Sequence, residues 1–156
     1  MVDIKDLQAI VKALDKMGRL VRVKSEVDPA YDLAGIAARF EGGPRAVLFE
    51  NVKGYDEPVF TGLYWSRELL AALLGKDEDA LPSYVQDCIE SWQKKPVAPV
   101  SGNKAPVMQV TENRVDLGKL PIPTHAVDDG GAYFDAGVVI ARDPETGVRN
   151  ASIQRF

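Results

Sequence analysis

Five prolines between positions 96 and 123, at Pro96, Pro99, Pro106, Pro121 and Pro123, decide how this chain can be divided. Each proline removes a backbone donor and pushes the residue before it out of the helical region, so no helix can run through them. Ser101, Gly102 and Asn103 lie among the first three and add turn chemistry, which marks a linker. On either side the apolar period differs. The spacing predicts an α/β unit over 1–95, a linker and crossing segment over 96–124, and β structure over 125–156.

In the first part the period is helical, then alternates with strands. Ile4, Leu7, Ile10, Val11, Leu14 and Met17 form one helical face, with Asp3 as cap and Gly18 as the stop that releases a strand over 19–24. Asp28-Pro29 reads as cap and first turn of a helix reaching Phe40, its stripe Leu33, Ile36, Ala37 and Phe40. Ala46–Phe49 and Val59–Tyr64 read as strands. Ser66 caps a helix closed by Gly75, and another helix runs from about Ser83 to Lys94. Cys88 shares a stripe with Val85, Ile89 and Trp92 and reads as a core residue rather than a nucleophile, since no His stands near it.

Beyond the linker, a short strand is expected near Val107–Val110, and Leu120-Pro-Ile-Pro123 can only be an extended crossing segment or loop. The single histidine, His125, is expected to be structural, hydrogen-bonded beside the Asp128-Asp129 turn. Gly137 to Ala141 is a β-prone run, Asp143-Pro-Glu-Thr-Gly147 supplies a turn, and Val148 opens the next strand. On that strand Asn150, Ser152 and Gln154 share one face by the two-residue period, with Ala151, Ile153 and Arg155 on the other. Taken alone, the run reads as an amphipathic strand with a solvated face.

Composition closes several function classes. A formal charge of −4 with no Lys/Arg cluster argues against a nucleic-acid surface. The longest apolar runs, near Leu69–Leu74 and 137–141, are too short to cross a bilayer, and the first residues carry no signal peptide. One cysteine cannot form an internal disulfide, which fits a cytoplasmic protein. No glycine-rich phosphate loop occurs, which disfavours a generic nucleotide-binding protein.

Four elements in fixed order carry a more specific signal: Leu120-Pro-Ile-Pro123, Asp129-Gly-Gly-Ala-Tyr133, Asp143-Pro-Glu-Thr-Gly147 and Asn150-Ala-Ser-Ile-Gln-Arg155. Together they resemble the UbiD family of prenylated-flavin-dependent decarboxylases. The phrase from Gly18 to Pro29 is similar to the family's opening, so the resemblance runs along the whole chain, which is similar to roughly the first third of a family member. The fold it implies is a small N-terminal α/β domain followed by the first strands of a split β-barrel that binds flavin.

The function it implies is decarboxylation of aromatic or α,β-unsaturated carboxylic acids through prenylated FMN and a divalent metal, Mn²⁺ or Mg²⁺, with K⁺ as a further cation. By that resemblance Asn150 is a metal ligand, Ser152, Ile153, Gln154 and Arg155 line the flavin, and Arg155 is catalytic, holding the substrate carboxylate. The remaining ligands, a histidine and a glutamate, and two glutamates that work with the arginine belong to segments this chain lacks. His125 does not match the ligand position. The expected partners are a carboxylic acid and the C-terminal portion or a complementary subunit, in an oligomer. The competing expectation is a non-catalytic fragment or assembly subunit, inactive without that portion.

Overall fold

Ala46–Phe49 is a continuous apolar run, the pattern of a strand covered on both faces. In the computed structural model, which describes residues 4–98 and 105–156, it is the central strand of a three-stranded sheet. All four of its residues are buried. The strands are β1 (Leu20–Val23), β2 (Ala46–Phe49) and β3 (Val59–Thr61), in that spatial order. The Ala46 amide donates to the Arg19 carbonyl and the Glu50 amide to the Val23 carbonyl, a constant offset that makes β1 and β2 parallel. β3 runs antiparallel to β2, with Leu48 opposite Phe60. It stops at Thr61, three residues short of the Tyr64 expected from the sequence, because Gly62 turns the chain at φ +91°.

Two compact units alternate along the sequence. One gathers Met1–Leu20, Gly42–Ala46 and Gly62–Lys119. Its helices are α1 (Leu7–Lys16), α3 (Arg67–Leu74) and α4 (Leu81–Lys94). α1 packs on α3, and Leu14 and Leu69 are their fully buried residues. Asp6 caps α1, its carboxylate accepting from the Ala9 amide at 2.7 Å; the expected cap, Asp3, lies outside the described residues. Ser66 caps α3 as the sequence predicts, and Gly75 closes it in the left-handed region.

Within that unit α4 departs from expectation. It begins at Leu81, and only Leu81 of its residues is buried. Cys88 is exposed, and so are Val85, Ile89 and Trp92, which form the apolar stripe taken from the sequence as core. The periodicity is real, but Leu81 is the only buried residue of α4, so the stripe lies uncovered. The strand expected over Val107–Val110 is instead a 3₁₀ turn at Pro106–Met108, since Pro106 offers no ladder donor. Part of the expected linker, 99–104, lies outside the described residues.

The other unit gathers Val21–Glu41, Val47–Thr61 and Leu120–Phe156. Val27, Leu33, Ala37, Val47, Phe49 and Val52 make its core. α2 spans only Asp32–Ala37, shorter at both ends than the sequence suggested. Asp28 does not cap it: one carboxylate oxygen takes the Ala30 amide and the other the Lys53 ammonium, which holds the Asp28 carboxyl below its usual range. Pairing of residues 29–31 with Thr124 keeps this stretch extended, and the Asp32 amide returns to the Ala30 carbonyl. That closes a γ-turn of the rarer, strained kind around Tyr31 at φ +74°. Leu120 to Thr124 is a loop without helix, as its prolines require: the Ile122 amide donates back to the Leu120 carbonyl at 2.8 Å, and Thr124 is tied to Pro29 and Tyr31.

The C-terminal hairpin pairs β4 (Gly137–Arg142) with β5 (Arg149–Gln154) in the antiparallel register Val139 opposite Ser152. Asp143 builds the turn. Its carboxylate accepts the Glu145 and Thr146 amides, and Gly147 takes the left-handed conformation that a side chain would resist. Among the described residues no helix is long and apolar enough to cross a membrane.

Candidate functional site

The register of β4 and β5 sorts the chemistry-bearing residues onto two faces. Gly137, Val139 and Ala141 stand opposite Gln154, Ser152 and Asn150 on one face; Val138 and Ile140 stand opposite Ile153 and Ala151 on the other. The first face carries an amide, a hydroxyl and a second amide in a row. Gln154 donates to the Ser152 hydroxyl at 3.1 Å, which shows directly that they are same-face neighbours. Asn150 is exposed and makes no side-chain hydrogen bond among the described residues, so its amide oxygen is free to accept a ligand.

Past Gln154 the ladder changes register. Gly137 pairs with Gln154, but Phe134 and Phe156 exchange both backbone bonds, at 2.9 and 3.0 Å. Between those two rungs one strand runs through Asp135 and Ala136, while the other has only Arg155. This is a β-bulge, and Arg155 is the single residue facing it. Bulges bend a strand and re-aim side chains, and here the side chain re-aimed is the arginine.

Its guanidinium carbon stands over the Tyr133 ring, 4.4 Å from the centroid. His125 stacks on the same ring, centroid to centroid 4.3 Å at 28°. Tyr133 thus touches both the histidine and the arginine. His125 is not hydrogen-bonded as the sequence suggested. Its Nδ1 is buried without a partner among the described residues, and the Asp129 carboxylate takes the Ala126 amide instead. The ring contact with Tyr133 replaces the expected hydrogen bond.

Arg155 makes no ion pair or hydrogen bond among the described residues. Its charge is therefore uncompensated and its in-plane donors are open, an arrangement suited to a carboxylate or phosphate. The structure thus brings Ser152 and Gln154 together, leaves Asn150 on their face with an open oxygen, and puts Arg155 on Tyr133. Ile153 is exposed on the apolar face beside Val138. Sequence reasoning missed the part played by Tyr133, which entered only as the last residue of the Asp129–Tyr133 element. Nothing in the spacing of 133 and 155 announces their contact, because the bulge alters the register between them.

The donors present fit the two implied groups unequally. A strand face bearing open amide and hydroxyl groups fits the polar edge of a flavin. For a metal the chain offers the Asn150 oxygen alone, and no trio of His, Cys, Asp or Glu able to hold a metal occurs among the described residues. A complete coordination shell cannot be assembled from the described residues.

Residues 11–89 match the family model of the 3-octaprenyl-4-hydroxybenzoate carboxy-lyase N-terminal domain, and 98–156 match that of its Rift-related domain. The chain is 66% identical over 153 residues to an uncharacterized protein in the cooM 5′ region of Rhodospirillum rubrum, covering 98% of this chain and 33% of that protein. It is 38% identical over 145 residues to the anhydromevalonate phosphate decarboxylase of Methanothermobacter thermautotrophicus, covering 92% of this chain and 32% of the relative. Among solved structures it resembles an evolved dimeric form of the UbiD-class enzyme HmfF from Pelotomaculum thermopropionicum in complex with prFMN. That likeness has a TM-score of 0.84 and 40% identity, over 96% of this chain and 35% of that one. The chain spans about a third of the length of the curated relatives it matches.

Proposed function

This chain belongs to the UbiD family of carboxy-lyases, and from that premise we propose that it is the N-terminal part of a decarboxylase acting on aromatic or α,β-unsaturated carboxylic acids. The single observation that carries the reading is the run from Asn150 to Arg155. It is a strand face with open amide and hydroxyl groups, followed by an arginine whose donors are unpaired. In this reading 1–95 is an α/β module, 96–124 a crossing segment, and 125–156 the start of a flavin-binding barrel.

Loss of CO₂ from an sp² carbon leaves an electron pair that no side chain of this chain can delocalise. Bound prenylated FMN would supply that electron sink. The residues themselves bind and orient. Arg155 would grip the substrate carboxylate with its planar fork and fix the scissile bond. Ser152, Ile153 and Gln154 would line the flavin, the two polar groups through hydrogen bonds and Ile153 through the strand backbone. Asn150 would lend one oxygen to Mn²⁺ or Mg²⁺, with K⁺ as a further cation, the rest of the shell coming from outside this chain. Holding the reacting groups in place is where such a protein earns its rate. The working form is an oligomer in the cytoplasm that includes the remaining length of the family fold.

A second reading, an assembly module without activity of its own, is favoured by one observation. The apolar faces at Val138, Ile140 and Ile153 and at Val85, Ile89 and Trp92 are uncovered. One experiment separates the two. The chain is assayed for CO₂ release with reconstituted prenylated FMN and Mn²⁺, alone and together with a polypeptide supplying the rest of a family member. The enzymatic reading expects turnover only in the second case. Absence of turnover with cofactor bound and the full length present would overturn it.

A further inference from the structure

We propose that Tyr133 is a positioning residue for Arg155: its ring fixes the guanidinium by its flat face and leaves the in-plane N–H groups free for a carboxylate. The inference rests on the carboxylate-holding reading of Arg155 and adds the residue that makes that arginine competent.

An arginine on an exposed strand end has four rotatable bonds and loses much of its usefulness to disorder. The usual remedy is a salt bridge, but a carboxylate partner occupies the donors that the substrate needs. A ring offers another way. The quadrupole of an aromatic face attracts the cation along the normal to both planes, so every N–H, lying in the guanidinium plane, stays available. The Arg155 guanidinium carbon lies over the ring, 4.4 Å from its centre, and Arg155 makes no ion pair among the described residues, as this arrangement requires.

The ring itself is held from three sides. Its backbone amide donates to the Pro123 carbonyl at 3.1 Å. The next residue, Phe134, exchanges both backbone bonds with Phe156, which places Tyr133 and Arg155 side by side at the bulge. His125 stacks on the ring, centroid to centroid 4.3 Å. Thr124, adjacent to His125, is pinned by bonds to Pro29 and Tyr31. Histidine, tyrosine and arginine thus form a cluster anchored through Thr124 and open at its cationic end.

The test uses this chain as it stands, with ¹⁵N-labelled arginine and sodium benzoate as the carboxylate probe. In the parent, the Arg155 Nε–H resonance should be shifted upfield by the Tyr133 ring current and should move on adding benzoate. Tyr133→Leu should return that resonance to its free-arginine position and weaken benzoate binding about two- to fivefold. Tyr133→Phe should restore both, because it keeps the ring; matching amide spectra for the two variants exclude unfolding as the cause.

An Arg155 resonance that Tyr133→Leu does not move would overturn the inference. Equal benzoate affinity in parent and Tyr133→Leu would also overturn it, while leaving the carboxylate role of Arg155 intact. No response of Arg155 to benzoate in any protein, parent included, would instead sink the carboxylate reading and the inference with it.

Discussion

The ring of Phe156 lies directly on the Cα of Gly137: a Cβ there would run into Cε2 and Cδ2 of the ring. A larger side chain fits only if the Phe156 ring moves, although the glycine's backbone is ordinary extended strand. The contact sits one rung from the Phe134–Phe156 pair, so it guards the bulge that aims Arg155.

Gly137→Ala should therefore displace the Phe156 ring and loosen the last rung of the hairpin. Overpacking of this kind typically costs about 1–3 kcal/mol, and the low end applies at an exposed rung. Amide exchange should speed up at Phe134 and Phe156 while Asn150 and Ser152 keep their protection. Unchanged exchange at Phe156 would show that the ring moves aside freely.

Arg155→Ala and Asn150→Ala should fail in different ways in an enzyme completed with the rest of the family fold. Removing the carboxylate-holding charge from a water-excluded site should cost roughly a thousandfold in turnover while flavin stays bound. Removing one oxygen donor should lower metal and flavin retention, and excess Mn²⁺ should partly restore it. Flavin absorbance and CO₂ release for both variants decide the matter. Parent-like turnover in Arg155→Ala, or full flavin at low Mn²⁺ in Asn150→Ala, would refute the assignments.

The hairpin turn should weaken in acid. The Thr146 amide, the Thr146 hydroxyl and the Glu145 amide together hold the Asp143 carboxyl below its usual value. A carboxyl depressed in the folded state stabilises it above the unfolded value, near pH 4, and that contribution is lost as the pH falls further through the folded value. The Thr146 amide shift followed from pH 6 to pH 2 should report the loss. Asp143→Asn, which keeps an acceptor oxygen but cannot titrate, should flatten the curve.

Ser66→Ala should lower stability by about 1 kcal/mol, the usual cost of removing a helix cap. The Ser66 hydroxyl accepts from the Leu69 amide at 3.3 Å, and both residues are buried, so water cannot substitute. Denaturant midpoints of parent and variant measure it. A change below a few tenths would mean that the cap is replaced locally.

Elements specified by neighbouring residues were legible before the structure. Ala46–Phe49, the Ser66 cap, the Gly75 stop and the Asp143 turn needed only local chemistry, and all stand where expected. The misreadings share a cause. α2 looked longer because Asp28-Pro29 is a good helix start, yet Thr124, far along the chain, claims the backbone there. The stripe on α4 has helical period, but period does not reveal whether anything covers it. At the hairpin, alternation correctly put Ser152 and Gln154 on one face. Alternation said nothing of Tyr133, because the bulge that joins it to Arg155 is a defect in the very periodicity being read.

The topology also orders events in time. β4 and β5 are joined by their own short turn, so the hairpin can close within microseconds and without help from the rest of the chain. β1 and β2 are parallel and cannot meet until all of α2 has been looped between them, a slower search. The segment bearing Asn150 and Arg155 should thus acquire its ladder first, with both faces bare, as an isolated ribbon of only marginal stability. Pulse-labelled hydrogen exchange during refolding should find early, shallow protection at Val139 and Ser152 and later, deeper protection at Val47 and Phe49. During that interval the exposed Val138, Ile140 and Ile153 are the surface through which unfinished chains would find one another, which makes dilute, cold refolding the condition most favourable to recovering the native form.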